Sequence, residues 1–280
     1  MKARILTATE LQNFMAYLRE EERSDHTIEK YLHDVRCFLA FVNGKEINKE
    51  RILEYKARLL ERYAVSSANS MLAALNAFLR FCGWQELCVK RFKMQREVYC
   101  SEEKELTRDE YIRLLDAAAR RNNKRLNLII QAICGTGIRV SELEYVTVEA
   151  LEKGEATVSC KGKTRRVFLV SSLRKKLLRY VKEQGIRSGA VFVTRGGKPV
   201  SRHNIWKEMK ALCKDANVSP SKVFPHNLRH LFARTFYGIE KDIAKLADIL
   251  GHTSVDTTRI YIVTTGEEHR RKMEHMRLIL

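Results

Sequence analysis

The sequence predicts a mainly α fold in two parts: a small helical N-terminal domain, and a larger, mostly α domain carrying one small antiparallel β-sheet. Apolar residues recur at helical spacing through most of the chain, and strict alternation is confined to one stretch near residues 156–170. Periodicity fails over a charged stretch that separates the two parts. At 280 residues the chain suits two domains, and it can bury a core without disulfide staples.

Four helices are predicted in the first part. Thr7 and Glu10 form a capping box ahead of Leu11, Phe14, Met15 and Leu18. Ile28, Tyr31, Leu32, Val35, Phe38, Leu39 and Val42 keep the same period, which ends at Asn43-Gly44. Ile52, Leu53, Leu59 and Leu60 mark the third helix; Met71, Leu72, Leu75, Phe78, Leu79 and Cys82 mark the fourth, stopped at Gly83. From about Cys88 to Glu105 charge alternates without periodicity, and Lys90, Arg91, Lys93 and Arg96 suit a linker that follows a polyanion. The expected organisation is a helical domain over 1–88, a linker over 89–105 and a second domain over 106–280.

Thr107 and Glu110 form another capping box, opening a helix with Tyr111, Leu114, Leu115 and Ala118 inside. A further apolar helix near 124–134 breaks at Gly135-Thr136-Gly137. The runs ATVSC and RRVFLV flank KGKT and read as a tight hairpin around Gly162-Lys163, with Gly at its first central position. Helices follow near 172–184, 202–216, 226–237, 240–250 and 254–262. A last amphipathic helix near 267–278 places Met273, Met276 and Leu280 on one stripe.

Composition excludes several classes. Hydrophobic residues make up 45% and charged residues 31%, which is not the balance of a disordered chain. No apolar run reaches the roughly 18 residues of a membrane span, and MKARILTATELQNF lacks a signal-peptide core, so a cytoplasmic protein with no membrane partner is expected. The seven cysteines are odd in number and contain no C-x-x-C, which argues against a disulfide framework or a zinc site. The net charge is +18, and residues 101–280 carry 35 basic against 21 acidic side chains. Such a field concentrates polyanions, of which nucleic acid is the commonest in a cell.

Basic and nucleophilic residues stand at the punctuation points of the second part. Arg139 follows the Gly135/Gly137 turn, and Lys161 ends the first hairpin strand. His226 and Arg229 lie three apart after Pro225, so both leave one helix face. His252 follows Gly251, and Tyr261 comes nine residues later in TSVDTTRIY. His226 and His230 have H-x-x-x-H spacing, but HNLRH lacks the glutamate of a zinc protease, so no metal site is expected.

Taken in order, GTGIRVSEL, CKGKTRRVFL, PHNLRH and LGHTSVDTTRIY strongly resemble the tyrosine site-specific recombinases, the phage-integrase and Xer-type family. The helical N-terminal part resembles their SAM-like core-binding domain, so the resemblance spans nearly the whole chain. It implies a DNA breaking-rejoining fold and a catalytic set of Arg139, Lys161, His226, Arg229, His252 and Tyr261, with Tyr261 as nucleophile. Lys161 and Lys163 both qualify by eye; the family's strand-Lys-Gly pattern selects Lys161. The chain departs from the family in having Cys160 where Gly is frequent.

The resemblance also implies double-stranded DNA sites as partners, a covalent 3′-phosphotyrosine, a Holliday junction and a homotetramer built from protomers that are monomeric in solution. It implies no cofactor. The chemistry is self-consistent: two guanidiniums can hold the charge that builds on a phosphodiester under attack, and a lysine can protonate the leaving 5′ oxygen. His226 would assist deprotonation of the phenol, and His252 would hydrogen-bond the phosphate. Glu142, one turn after Arg139, could orient the cations or be an ordinary surface glutamate.

Overall fold

The protein is described by a computed structural model over residues 8–94, 102–160, 163–261, 270 and 273–276. It divides into two compact units, residues 1–96 and 97–280.

The first unit holds four helices: α1 (Ala8–Glu20), α2 (Asp25–Val42), α3 (Lys49–Arg62) and α4 (Val65–Phe81). α4 is the central one, packing against each of the other three. Its flank towards α1 buries Phe78 with Phe14, Leu18, Ile28, Leu32 and Val35. Its flank towards α3 buries Leu72, Leu75 and Leu79 with Phe38, Ile52, Tyr55 and Leu59. α2 ends as expected, with Asn43 in the left-handed region at φ 48°. In α3 the inward stripe is Ile52, Tyr55 and Leu59, whereas Leu53 and Leu60 face solvent. The expected Thr7 cap of α1 lies outside the described residues.

The stretch read as linker does not start free. Asn76 donates from Nδ2 to the carbonyl of Val89 (2.8 Å) and accepts from its N–H (2.9 Å). Asn69 repeats the pattern on Phe92, at 3.0 and 2.7 Å. Two side-chain amides thus replace a neighbouring strand, and Leu87 and Val89 complete the core beneath them. The aperiodic composition of 89–92 reflects a segment held by its backbone, not one without a seat.

In the second unit the Thr107/Glu110 capping box opens α5 (Arg108–Arg120), with both reciprocal bonds present. α6 (Lys124–Thr136) ends at Gly137, at φ 65°. A 3₁₀ segment (Val140–Tyr145) just past Arg139 and the short α7 (Val148–Lys153) lead into the sheet. β1 (Glu155–Cys160) pairs antiparallel with β2 (Lys163–Phe168). Their register sets Cys160 against Lys163, so pairing closes one residue earlier than a turn centred on Gly162-Lys163 requires. Residues 161 and 162 lie outside the described residues.

Four helices near the expected positions follow: α8 (Ser171–Glu183), α9 (Arg202–Ala216), α10 (Pro225–Glu240) and α11 (Ile243–Leu250). α10 packs along α6, and both belong to one large core built from Leu126, Ile129, Ile133, Leu177, Leu212 and Leu228. α12 (Val255–Arg259) is shorter than the expected 254–262, and Tyr261 stands just beyond it. Of the helix expected near 267–278, only residues 270 and 273–276 are described; Met273 and Met276 are exposed there, and Leu280 lies outside. No helix among the described residues is long and apolar enough to cross a membrane.

Candidate active site

The ends of α6 and α11, the start of α10 and the inner face of β2 meet at one point. Each contributes for a local reason. Gly137 reverses the chain after α6, and a Cβ there would also strike the Phe232 ring and Leu250. Gly251 does the same after α11 at φ 65°, where a Cβ would run into the Arg165 side chain. Pro225 occupies the first position of α10, fixing the turn from which His226 and Arg229 emerge.

Arg139 and Glu142 are locked together. Glu142 accepts from the Arg139 backbone N–H through Oε2 (2.9 Å) and from Nη1 through Oε1 (2.8 Å). The Arg139 Nη2 donates to the Gly251 carbonyl at 3.2 Å. Arg165 reaches the same carboxylate from β2, with Nη2 at 2.5 Å from Oε2, and donates from Nη1 to the Ile249 carbonyl at 3.1 Å. Glu142 is 2% exposed, which settles its standing between surface charge and organiser. It bridges two guanidiniums.

Arg229 is only 1% exposed. Its Nη1 donates to the Gly137 carbonyl, and its Nη2 donates to the Leu250 carbonyl at 2.6 Å. The same Nη2 lies 3.0 Å from His252 Nε2, while His252 Nδ1 lies 2.8 Å from Thr258 Oγ1. Burial, with Arg139 beside it, lowers the Arg229 pKa to about 10, still charged at neutral pH. Burial first, then Arg229, Arg139 and Arg165, lowers His252 to about 4, so its imidazole is neutral.

Tyr261 closes the arrangement. Its ring centroid lies 4.3 Å from that of His230 and 5.2 Å from that of His252. The Arg229 guanidinium is 5.9 Å from it, within cation–π reach. His230 in turn faces Glu105 across 3.5 Å, and Glu105 also pairs with Arg234 at 3.1 Å. His226 lines a small cleft that shares Arg139 and Arg229 with this cluster and also takes in Ser141 and Arg202. Burial and the surrounding Arg229, His230, Arg202 and Arg139 lower its pKa, again favouring the neutral ring.

The structure therefore brings together five of the six residues expected from the sequence: Arg139, His226, Arg229, His252 and Tyr261. Lys161 lies outside the described residues. His252 differs from expectation in one respect: its Nε2 is occupied by Arg229 and has no proton to offer a phosphate in this state. Arg165 and Thr258 were missed. Arg165 did leave a signal, because Ala156, Val158 and Val167 define the buried face of the hairpin, and Arg165 opposite Val158 shares it. An arginine at an inward β position marks a bound charge.

Residues 104–268 match the Phage integrase family. The chain belongs to this family of tyrosine recombinases. Residues 11–86 of the recombinase match the phage integrase N-terminal SAM-like domain. Tyrosine recombinase XerA of Thermococcus kodakarensis is 31% identical to it over 277 residues, covering 96% of this chain and 95% of that relative. A crystal structure of XerA recombinase, 28% identical, superposes with a TM-score of 0.54 over 97% of this chain and 99% of the other. A lambda integrase tetramer bound to a Holliday junction shares the fold of the recombinase at a TM-score of 0.75 and 18% identity, over 93% of this chain and 78% of the other.

Proposed function

We propose that this tyrosine recombinase cleaves and rejoins duplex DNA at specific sites in the cytoplasm, through a covalent intermediate on Tyr261 and without metal or ATP. One observation carries the reading: two charged guanidiniums, Arg139 and Arg229, share a site with a tyrosine ring and two neutral histidines. That set can take a proton, hold an anion and supply an oxygen nucleophile.

The Tyr261 oxygen attacks the scissile phosphorus, and its proton passes to His226, whose surroundings keep a lone pair available at neutral pH. Charge rising on the non-bridging oxygens is met by Arg139 and Arg229, with His252 aiming the latter. The bond to the 5′ oxygen breaks as Lys161 gives that oxygen a proton, leaving a 3′-phosphotyrosine and a free 5′ hydroxyl. A 5′ hydroxyl from a partner strand then reverses the step, so the phosphodiester energy is conserved.

Four protomers, each with a core-binding domain over 1–88, a linker over 89–105 and a catalytic domain over 106–280, would exchange strands through a Holliday junction. Relatives named tyrosine recombinase over almost their whole length support this, as does the fold shared with the junction-bound lambda integrase tetramer. The test is a nicked duplex carrying a site recovered by in vitro selection from random-sequence DNA. Wild-type protein should become trapped on it, with the adduct mapping to Tyr261. Tyr261→Phe should bind the duplex with unchanged affinity and form no adduct; an adduct on another tyrosine would overturn the assignment.

A further inference from the structure

His252 makes two hydrogen bonds whose directions are fixed by chemistry. Arg229 Nη2 lies 3.0 Å from its Nε2, and a guanidinium can only donate. Nε2 must carry a lone pair. A neutral imidazole then keeps its proton on Nδ1, so the 2.8 Å contact runs from His252 Nδ1 to Thr258 Oγ1. Burial among three arginines favours that neutral ring.

Thr258 is fully buried, at 0% exposure, inside α12. Its carbonyl accepts the Tyr261 N–H at 2.9 Å. One residue therefore touches the phosphate-side histidine through its hydroxyl and the nucleophile through its backbone. For His252 to donate to a phosphate, its proton must sit on Nε2, which leaves Nδ1 bare. A hydroxyl suits both situations, because it accepts from an N–H and donates to a lone pair. A backbone carbonyl could serve only the first, and a methyl neither.

We propose that Thr258 is a positioning residue acting through His252: its hydroxyl reverses direction when phosphate draws Arg229 away, converting the imidazole from acceptor of Arg229 to donor to the phosphate. One proton leaves Nδ1 for water and one reaches Nε2 from water, so the ring is neutral before and after. Because Thr258 stands three residues ahead of Tyr261, docking the nucleophile and readying the phosphate grip become one event. The inference rests on the reading of Arg229, His252 and Tyr261 given above.

The test is long-range ¹H–¹⁵N correlation on full-length protein labelled in histidine, with His252 assigned by loss of its signals in His252→Gln. Free protein should show the Nδ1-protonated pattern, and Tyr261→Phe bound to the selected half-site duplex should show the Nε2-protonated one. An Nε2-protonated ring in free protein overturns the proposal, as does an unchanged ring or an imidazolium in the complex. At saturating protein, Thr258→Val should slow adduct formation roughly 10–100-fold with half-site affinity unchanged, while Thr258→Ser stays near wild type. Valine at the wild-type rate, or serine as slow as valine, overturns it. Should the valine variant unfold, the serine variant and the wild-type spectra decide. Mapping of the adduct to another tyrosine would instead sink the active-site reading and leave the free-protein tautomer standing.

Discussion

At the scale of single residues, the site is a crowd of like charges made tolerable by one carboxylate. Arg139 and Arg165 share Glu142, yet Arg229 has no acid among its hydrogen-bond partners named above. That asymmetry bears on the pH dependence of the free protein. His252 is lowered to about 4 from an ordinary 6.5, so between those values the unfolded chain binds more protons at this position than the folded one. Stability from His252 is complete above about 6.5 and is lost as pH falls towards 4; lowered His226 acts in the same direction. Urea midpoints measured from pH 7 to pH 4 should fall for the wild type and fall less steeply for His252→Gln. Equal slopes would show that the ring titrates as it does in the unfolded chain.

At the scale of elements, side-chain amides do work that periodicity cannot announce. Asn76 is 8% exposed and holds both polar groups of Val89. Asn76→Ala should destabilise the protein by about 1–3 kcal/mol in denaturant unfolding, because a buried N–H and C=O lose their partner together. Asn76→Asp, which keeps the acceptor but sets a buried carboxylate against the Val89 carbonyl, should cost at least as much. The segment 89–92 was unreadable for this reason: its order depends on residues 13 and 23 positions earlier, on another element. Elements fixed by local chemistry were readable, among them the Thr107/Glu110 box and the Pro225 start of α10. The hairpin was misplaced by one residue because Gly162 suits either central position of a two-residue turn, and only cross-strand register chooses. Arg139, His226, Arg229, His252 and Tyr261 stand at such local punctuation, but each alone is a weak signal, and it was the resemblance to the tyrosine recombinases that singled them out as a set. Arg165 shows only as a charge at an inward β position, its partners lying far along the chain, and spacing says nothing of Thr258, which acts around a turn.

At the scale of the whole molecule, charge is distributed for a polyanion: residues 101–280 carry a net +14 of the total +18. The proposed chemistry draws its positive charge from guanidiniums, so adduct formation should persist in excess chelator at the wild-type rate. Cleavage lost in EDTA and restored by Mg²⁺ would overturn the metal-free mechanism. Raising salt should weaken DNA binding steeply, as it does wherever several phosphates are neutralised, and leave the first-order step at saturation almost unchanged.

The carbonyls that hold these arginines come from the last turns or caps of two helices, Gly137 after α6 and Ile249, Leu250 and Gly251 at the end of α11. Those oxygens are the partly negative poles of their helices. A pole steadies a cation without cancelling it, whereas a carboxylate in the same place would leave a dipole with little reach. The resting protein thus keeps part of the positive charge of its three arginines uncancelled, with its geometry already set. A phosphate that reaches Arg229 has only neutral ligands to displace, and the exchange there can be quick in both directions. Such a surface can sample many backbone positions before one of them is held long enough to react.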